Sequence, residues 1–103
     1  MKPVVLVTGA SQGIGAAIAK VFAKEVKGVR LALVARNVRG LQAVAKACAK
    51  SGAKAEAFEC DVGNATSVAL MAGAVQARFG AVDGLVDYAG AFAIARLIQT
   101  GHY

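Results

Sequence analysis

Four consecutive β-favouring apolar residues, Val4-Val5-Leu6-Val7, run straight into Thr8-Gly9-Ala10-Ser11-Gln12-Gly13-Ile14-Gly15. An unbroken apolar run of this length reads as a strand buried on both faces, which a parallel sheet requires. The glycines fall where such a strand must turn sharply and hand over to a helix. Gly9 permits the tight turn, Gly13 lets the backbone come close to a pyrophosphate, and Gly15 lets helix and strand pack closely. The first amides of the following helix, at the positive end of its dipole, complete a cradle for phosphate oxygens.

The rest of the chain alternates in the same way. Ile14, Ala17, Ile18, Val21, Phe22 and Val26 form an apolar stripe at helical spacing, with Lys20, Lys24 and Lys27 off it. Gly28 is placed to close that helix in a left-handed cap. Residues 29–35 predict a second strand, and Val38, Leu41, Val44, Ala45 and Cys48 a second helix ending near Gly52. Residues 54–60 alternate as a third strand, with Ala55, Ala57 and Glu59 opposing Glu56 and Phe58. Asn64 predicts the N-cap of a third helix, whose stripe is Val68, Met71, Ala72, Val75 and Phe79 before Gly80. Residues 82–86 read as the fourth strand. Such β-α alternation, with right-handed crossovers, places the first two helices on one face of a parallel sheet and the third on the other. The expected fold is therefore α/β: a Rossmann-type three-layer sheet of strand order 3-2-1-4, truncated after its fourth strand. Residues 1–91 make one nucleotide-binding half-domain. Residues 92–103 are a tail in which Ile94, Leu97 and Ile98 offer the start of a further helix.

Composition narrows the function classes. Hydrophobic residues are 57% of the chain, above the ~45–50% of an average domain, and much of the excess is alanine, which suits close helix–sheet packing. No apolar run approaches the ~20 residues of a membrane span. Lys2 and the run behind it imitate a signal peptide but are cut short by Thr8-Gly9. The expected location is cytoplasmic, with no membrane partner. Cys48 and Cys60 have neither metal-ligand nor C-x-x-C spacing, so two buried free thiols are expected rather than a disulfide, and no metal. The net charge of +6 arises partly from Lys20, Lys24, Lys27, Lys46 and Lys50, which recur as solvated helix faces without interleaved aromatic residues. That pattern argues against nucleic acid as a partner.

Thr8, Gly9, Gly13 and Gly15 together spell T-G-x-x-x-G-x-G, which resembles the cofactor fingerprint of the short-chain dehydrogenases/reductases. Cys60-Asp61-Val62 and Leu85-Val86-Asp87-Tyr88-Ala89-Gly90 stand where that family has its D-V and N-N-A-G segments. The resemblance covers roughly residues 3 to 92, and the family's catalytic half lies beyond it. It implies a dinucleotide-dependent oxidoreductase of carbonyl and alcohol substrates. It further implies that Ser11, beside Gln12 and Ile14 in the phosphate turn, touches the phosphate on the adenosine ribose. Asp61 would bond the adenine amino group, the Val62 backbone its ring edge, and Tyr88, Ala89 and Gly90 would line the path of the cofactor ribose. The residues alone leave Asp61 a second role, capping the third helix. Asp87 and Tyr88 replace the family's two asparagines. Asp87 keeps acceptor oxygens but loses amide donors, so inside a protein it needs a donor or a proton.

Arg36 ends the second strand about 20 residues beyond Gly15, where an acid would bond the ribose 2′-hydroxyl of NAD and an arginine accommodates a 2′-phosphate. Asn37 and Arg39 are close by, and no carboxylate occurs between Glu25 and Glu56. This predicts NADP(H) in preference to NAD(H), the alternative being a solvated arginine at a strand end. It also disfavours an S-adenosylmethionine-dependent transferase, which shares the glycine turn but favours an acid at this place. No residue fits the family's catalytic set. Tyr88 is followed four residues on by Phe92 rather than Lys, Tyr103 is the last residue, and Ser11, Ser51 and Ser67 belong to the earlier units. His102 reads as a solvated residue near the end of the sequence. Little or no activity is expected of the 103 residues alone, and the competing expectation is a non-catalytic nucleotide-binding or oligomerisation module, with a bare sheet edge and face favouring an oligomer or a partner.

Overall fold

The computed structural model describes residues 2–87. Strands β1 (Val4–Thr8), β2 (Arg30–Ala35), β3 (Lys54–Glu59) and β4 (Gly84–Val86) alternate with helices α1 (Gly13–Glu25), α2 (Val38–Lys50) and α3 (Ala65–Phe79). All neighbours pair in parallel, in the order β3-β2-β1-β4. Every residue of β1 is buried, as expected of a strand with neighbours on both edges and helices on both faces.

The alternation of side chains sorts the core into two layers. Val5 and Val7 of β1 and Leu31 and Leu33 of β2 meet α1 and α2 on one face. Val4, Leu6, Ala32 and Val34 meet α3 on the other. The stripe of α3 is buried as its spacing predicts, through Val68, Met71, Ala72, Val75 and Phe79. Asn64 caps this helix by accepting a bond of 2.9 Å from the Ser67 amide, and Gly80, at φ +82°, follows its last turn. In β3, Ala55 and Ala57 face the first layer and Phe58 the second. Glu56 pairs with Arg78 of α3 at 2.6 Å. Cys48 and Cys60 are both buried free thiols.

Three expectations change. The buried face of α1 is not the stripe of large residues but Gly15, Ala16, Ala19 and Ala23. Helix and strand approach so closely at Gly15 that only small side chains fit beneath the helix. The large ones stand at its flank: Phe22 and Val26 still pack against the first layer from there, while Ile14 is 55% and Val21 59% exposed. Second, Gly28 does not cap α1. The helix ends at Glu25 with extended Val26 as its cap, and Gly28, at φ +76°, serves the turn into β2. Third, β4 is three residues rather than five. Asp83, just outside it, accepts from the Val4 amide and donates its own amide to the Val4 carbonyl, both at 2.8 Å. Residues 88–103, including the tail and its expected helix, lie outside the described residues.

Candidate functional site

Parallel strands bring all their carboxyl ends to one edge of the sheet. There the turn 9–12 follows β1, Arg36 and Asn37 follow β2, and Asp61 and Val62 lie beyond β3. The connections leaving β1 and β3 run in opposite directions across the sheet, and a crevice opens where that direction reverses.

The turn after β1 is held from below and open above. The Ala10 amide donates to the Val34 carbonyl at 3.2 Å, fastening the turn to β2. Gly9 and Gly13 adopt φ of +61° and +60°, a left-handed region that disfavours other residues. At Gly15 the requirement is space. A Cβ there would overlap the Gly9 carbonyl oxygen and stand 2.7 Å from its carbon. Among the described residues, a Cβ at Gly13 would meet nothing within 4 Å, so that side of the turn has room for ligand atoms. Gln12, the N-cap of α1, makes no side-chain capping bond, and no carboxylate lies in the first turn. The leading amides of a helix have no acceptor within it, and among the described residues the Gln12 side chain does not supply one. Open space, left-handed glycines and an uncapped helix start fit a dinucleotide's diphosphate, with Ser11, Gln12, Gly13, Ile14 and Gly15 around it.

Arg36 and Arg39 are exposed at the end of β2 and the start of α2. Asn37 has a structural task as well. Its Oδ1 accepts from the Gly40 amide at 3.0 Å and caps α2. Asp61 is exposed, its Oδ1 accepts from the Gly63 amide at 3.0 Å, and its carbonyl accepts from the Asn64 amide at 3.0 Å. It thereby shapes the turn into α3, while the cap itself is Asn64. Val62 packs against the α3 layer. Tyr88, Ala89 and Gly90 lie outside the described residues. Asp87 has a donor, the hydroxyl of the fully buried Thr8 at 3.0 Å.

Two residues near the site escaped the sequence reading. Ser67 accepts from the Asp61 amide at 2.9 Å and donates to the Cys60 sulfur at 3.6 Å, fixing the direction in which the chain leaves β3. Its signal was its place three residues after the Asn64 cap. Gly40 stands in the first turn of α2 beside Ser11. A glycine there, where helix formation favours almost any other residue, was a legible anomaly.

A parallel sheet in the order β3-β2-β1-β4, with a glycine turn feeding a helix at its switch point, defines a Rossmann-type fold. More narrowly, the chain belongs to the short chain dehydrogenase family, whose sequence pattern it matches over residues 3–100. It is 47% identical over 94 residues to D-threitol dehydrogenase of Mycolicibacterium smegmatis, covering 91% of this chain and 34% of that protein. The structure of L-sorbose reductase from Gluconobacter frateurii, complexed with NADPH and L-sorbose, superposes with a TM-score of 0.79 at 39% identity. The match covers 86% of this chain and 34% of that one. NAD+-bound xylitol dehydrogenase superposes with a TM-score of 0.75 at 34% identity, over 81% and 31% of the two chains. The chain thus spans about a third of the length of the relatives it matches. Among the described residues, no helix is long and apolar enough to cross a membrane.

Proposed function

We propose that this chain is the NADP(H)-binding portion of a short-chain oxidoreductase that interconverts carbonyl and alcohol groups. The observation that carries the cofactor preference is Arg36, exposed at the carboxyl end of β2, with no carboxylate between Glu25 and Glu56. A guanidinium presents paired donors to phosphate oxygens. On this reading Gly9, Gly13 and Gly15 shape the diphosphate cradle, with Gln12 and Ile14 in its wall. Ser11, Arg36 and Asn37 surround the 2′-phosphate, and Asp61 and Val62 take the adenine. Tyr88, Ala89 and Gly90 follow the ribose.

When bound, the nicotinamide gives or accepts a hydride. The chain's own residues bind and orient the dinucleotide. Protonating the carbonyl oxygen is assigned to groups in the two-thirds of the relatives' length that this chain does not span. Calorimetric titration tests the reading. NADP+ binds more tightly than NAD+, and Arg36→Asp reverses the order. Equal affinities in the unaltered chain remove Arg36 from this role.

A second reading, a non-catalytic nucleotide-binding or oligomerisation module, is favoured by a separate observation. The flank of α1, through Ile14, Ile18, Val21, Phe22 and Val26, lines an open apolar groove of ≈ 350 Å³. Among the described residues β4 has a neighbour on one side only. Bare apolar flanks and unpaired strand edges favour association between copies.

A further inference from the structure

We infer that Gly40 is a positioning residue for the 2′-phosphate subsite: lacking a side chain, it lets the first turn of α2 press against Ser11 and sets that hydroxyl relative to Arg36. The inference rests on the NADP(H) reading above. A Cβ at Gly40 would stand 2.9 Å from both the Cβ and the carbonyl oxygen of Ser11, and 3.2 Å from the Asn37 Nδ2. One of these neighbours is backbone and another is the side chain that caps α2, so neither yields without moving the phosphate turn or the helix start. The backbone at Gly40 is not left-handed, so conformation does not call for glycine here. Glycine in a helix is otherwise unfavourable relative to alanine. Close approach is what remains to account for it.

The contact joins two elements that the proposed subsite must hold in register. Ser11 belongs to the turn after β1. Arg36 and Asn37 belong to the end of β2 and the cap of α2. The Asn37 Oδ1 holds the Gly40 amide at 3.0 Å, so the residue is clasped from one side by the cap and fitted against Ser11 on the other. Beyond this contact, Gln12, Lys20 and Val44 help to line an open groove between α1 and α2 of ≈ 440 Å³. A methyl group at position 40 would wedge the two helix starts apart at the mouth of that groove. The Ser11 hydroxyl would then move away from Arg36, while the glycines that face the diphosphate keep their own backbone form.

Calorimetric titration of the chain and its Gly40→Ala variant with NADP+ and NAD+ tests this. Losing one hydrogen bond to a charged group corresponds to a fall of about tenfold in affinity. NADP+ binding should weaken by that factor, with NAD+ binding much less affected and the far-UV circular dichroism unchanged. In a Ser11→Ala background there is no hydroxyl to misplace, so adding Gly40→Ala should change the NADP+ to NAD+ ratio by clearly less than it does in the unaltered chain. Equal losses for the two dinucleotides, or an undiminished effect in the Ser11→Ala background, overturn the proposal. Should Gly40→Ala not fold, amide resonances of the unaltered chain decide. Adenosine 2′,5′-bisphosphate should shift Ser11 and Gly40, and 5′-AMP should leave Gly40 in place; a Gly40 resonance indifferent to both overturns it. An unaltered chain that prefers NAD+ refutes the NADP(H) reading instead, and the role of Gly40 falls with it.

Discussion

Three glycine-to-alanine substitutions separate the reasons for which this chain uses glycine. At Gly15 the obstacle is another part of the backbone. The new methyl would overlap the Gly9 carbonyl oxygen, stand 2.7 Å from its carbon and 3.1 Å from the Thr8 oxygen. Ordinary contact lies near 3.5–4.0 Å, so the start of α1 must retreat by roughly 1 Å. Overpacking costs about 1–3 kcal/mol, and a conflict with backbone on both sides belongs at the upper end. At about 4–8 °C per kcal/mol for a domain of this size, the melting temperature should fall by roughly 12–24 °C. At Gly13 there is open space but a left-handed φ of +60°, and alanine should cost only about 1–2 kcal/mol. Gly73, inside α3, has neither obstacle, and alanine there should stabilise by about 0.5–1 kcal/mol. Urea denaturation followed by circular dichroism should rank the proteins Gly73→Ala, unaltered, Gly13→Ala, Gly15→Ala, from most to least stable. A Gly15→Ala protein as stable as the unaltered one, or less harmed than Gly13→Ala, would refute the claim that close approach is what selects glycine at that position.

Cys48 gives a pH dependence. Burial pushes its thiol above the ordinary range, against a smaller opposing pull from Lys20. The unfolded thiol therefore loses its proton first as the solution is made alkaline, and stability should decline as pH climbs from the ordinary thiol range toward the raised folded value. Replacing Cys48 with Ala should flatten that decline when urea midpoints are compared across the alkaline range; an unchanged slope would assign it to other groups. For the flank of α1, light scattering over a concentration series should detect self-association that Val21→Lys weakens while leaving the urea midpoint of the dilute protein within about 0.5 kcal/mol of the original. A chain that stays monomeric throughout refutes the oligomerisation reading.

Much of this architecture was legible because the relevant signals are local. The burial of β1, the stripe of α3, the Asn64 cap and the two-faced alternation of β3 each follow from residues a few places apart. The buried face of α1 was not, because that helix has two apolar faces. Periodicity finds the one with large side chains, Ile14, Ile18, Val21 and Phe22. The contact at Gly15, which depends on how closely the helix lies on β1, selects the other, Ala16, Ala19 and Ala23. The site divides in the same way. The glycine turn and Arg36 are readable from spacing along the chain. The Ser67 bond to the Asp61 amide and the fit of Gly40 against Ser11 exist only once separate units have met. Asp87 is an intermediate case: its need for a donor was readable, and the identity of that donor, Thr8, was not.

The sheet's order has a consequence for how such a chain is made. Of the four described strands β1 is made first yet lies inside the sheet, and its second edge is closed by β4. The links that fasten them, Val4 to Asp83 and Thr8 to Asp87, each join residues 79 positions apart. Contacts of such separation form late because a long loop must close before they repay it. During synthesis the glycine turn is therefore complete in sequence long before the strand beneath it is fully paired.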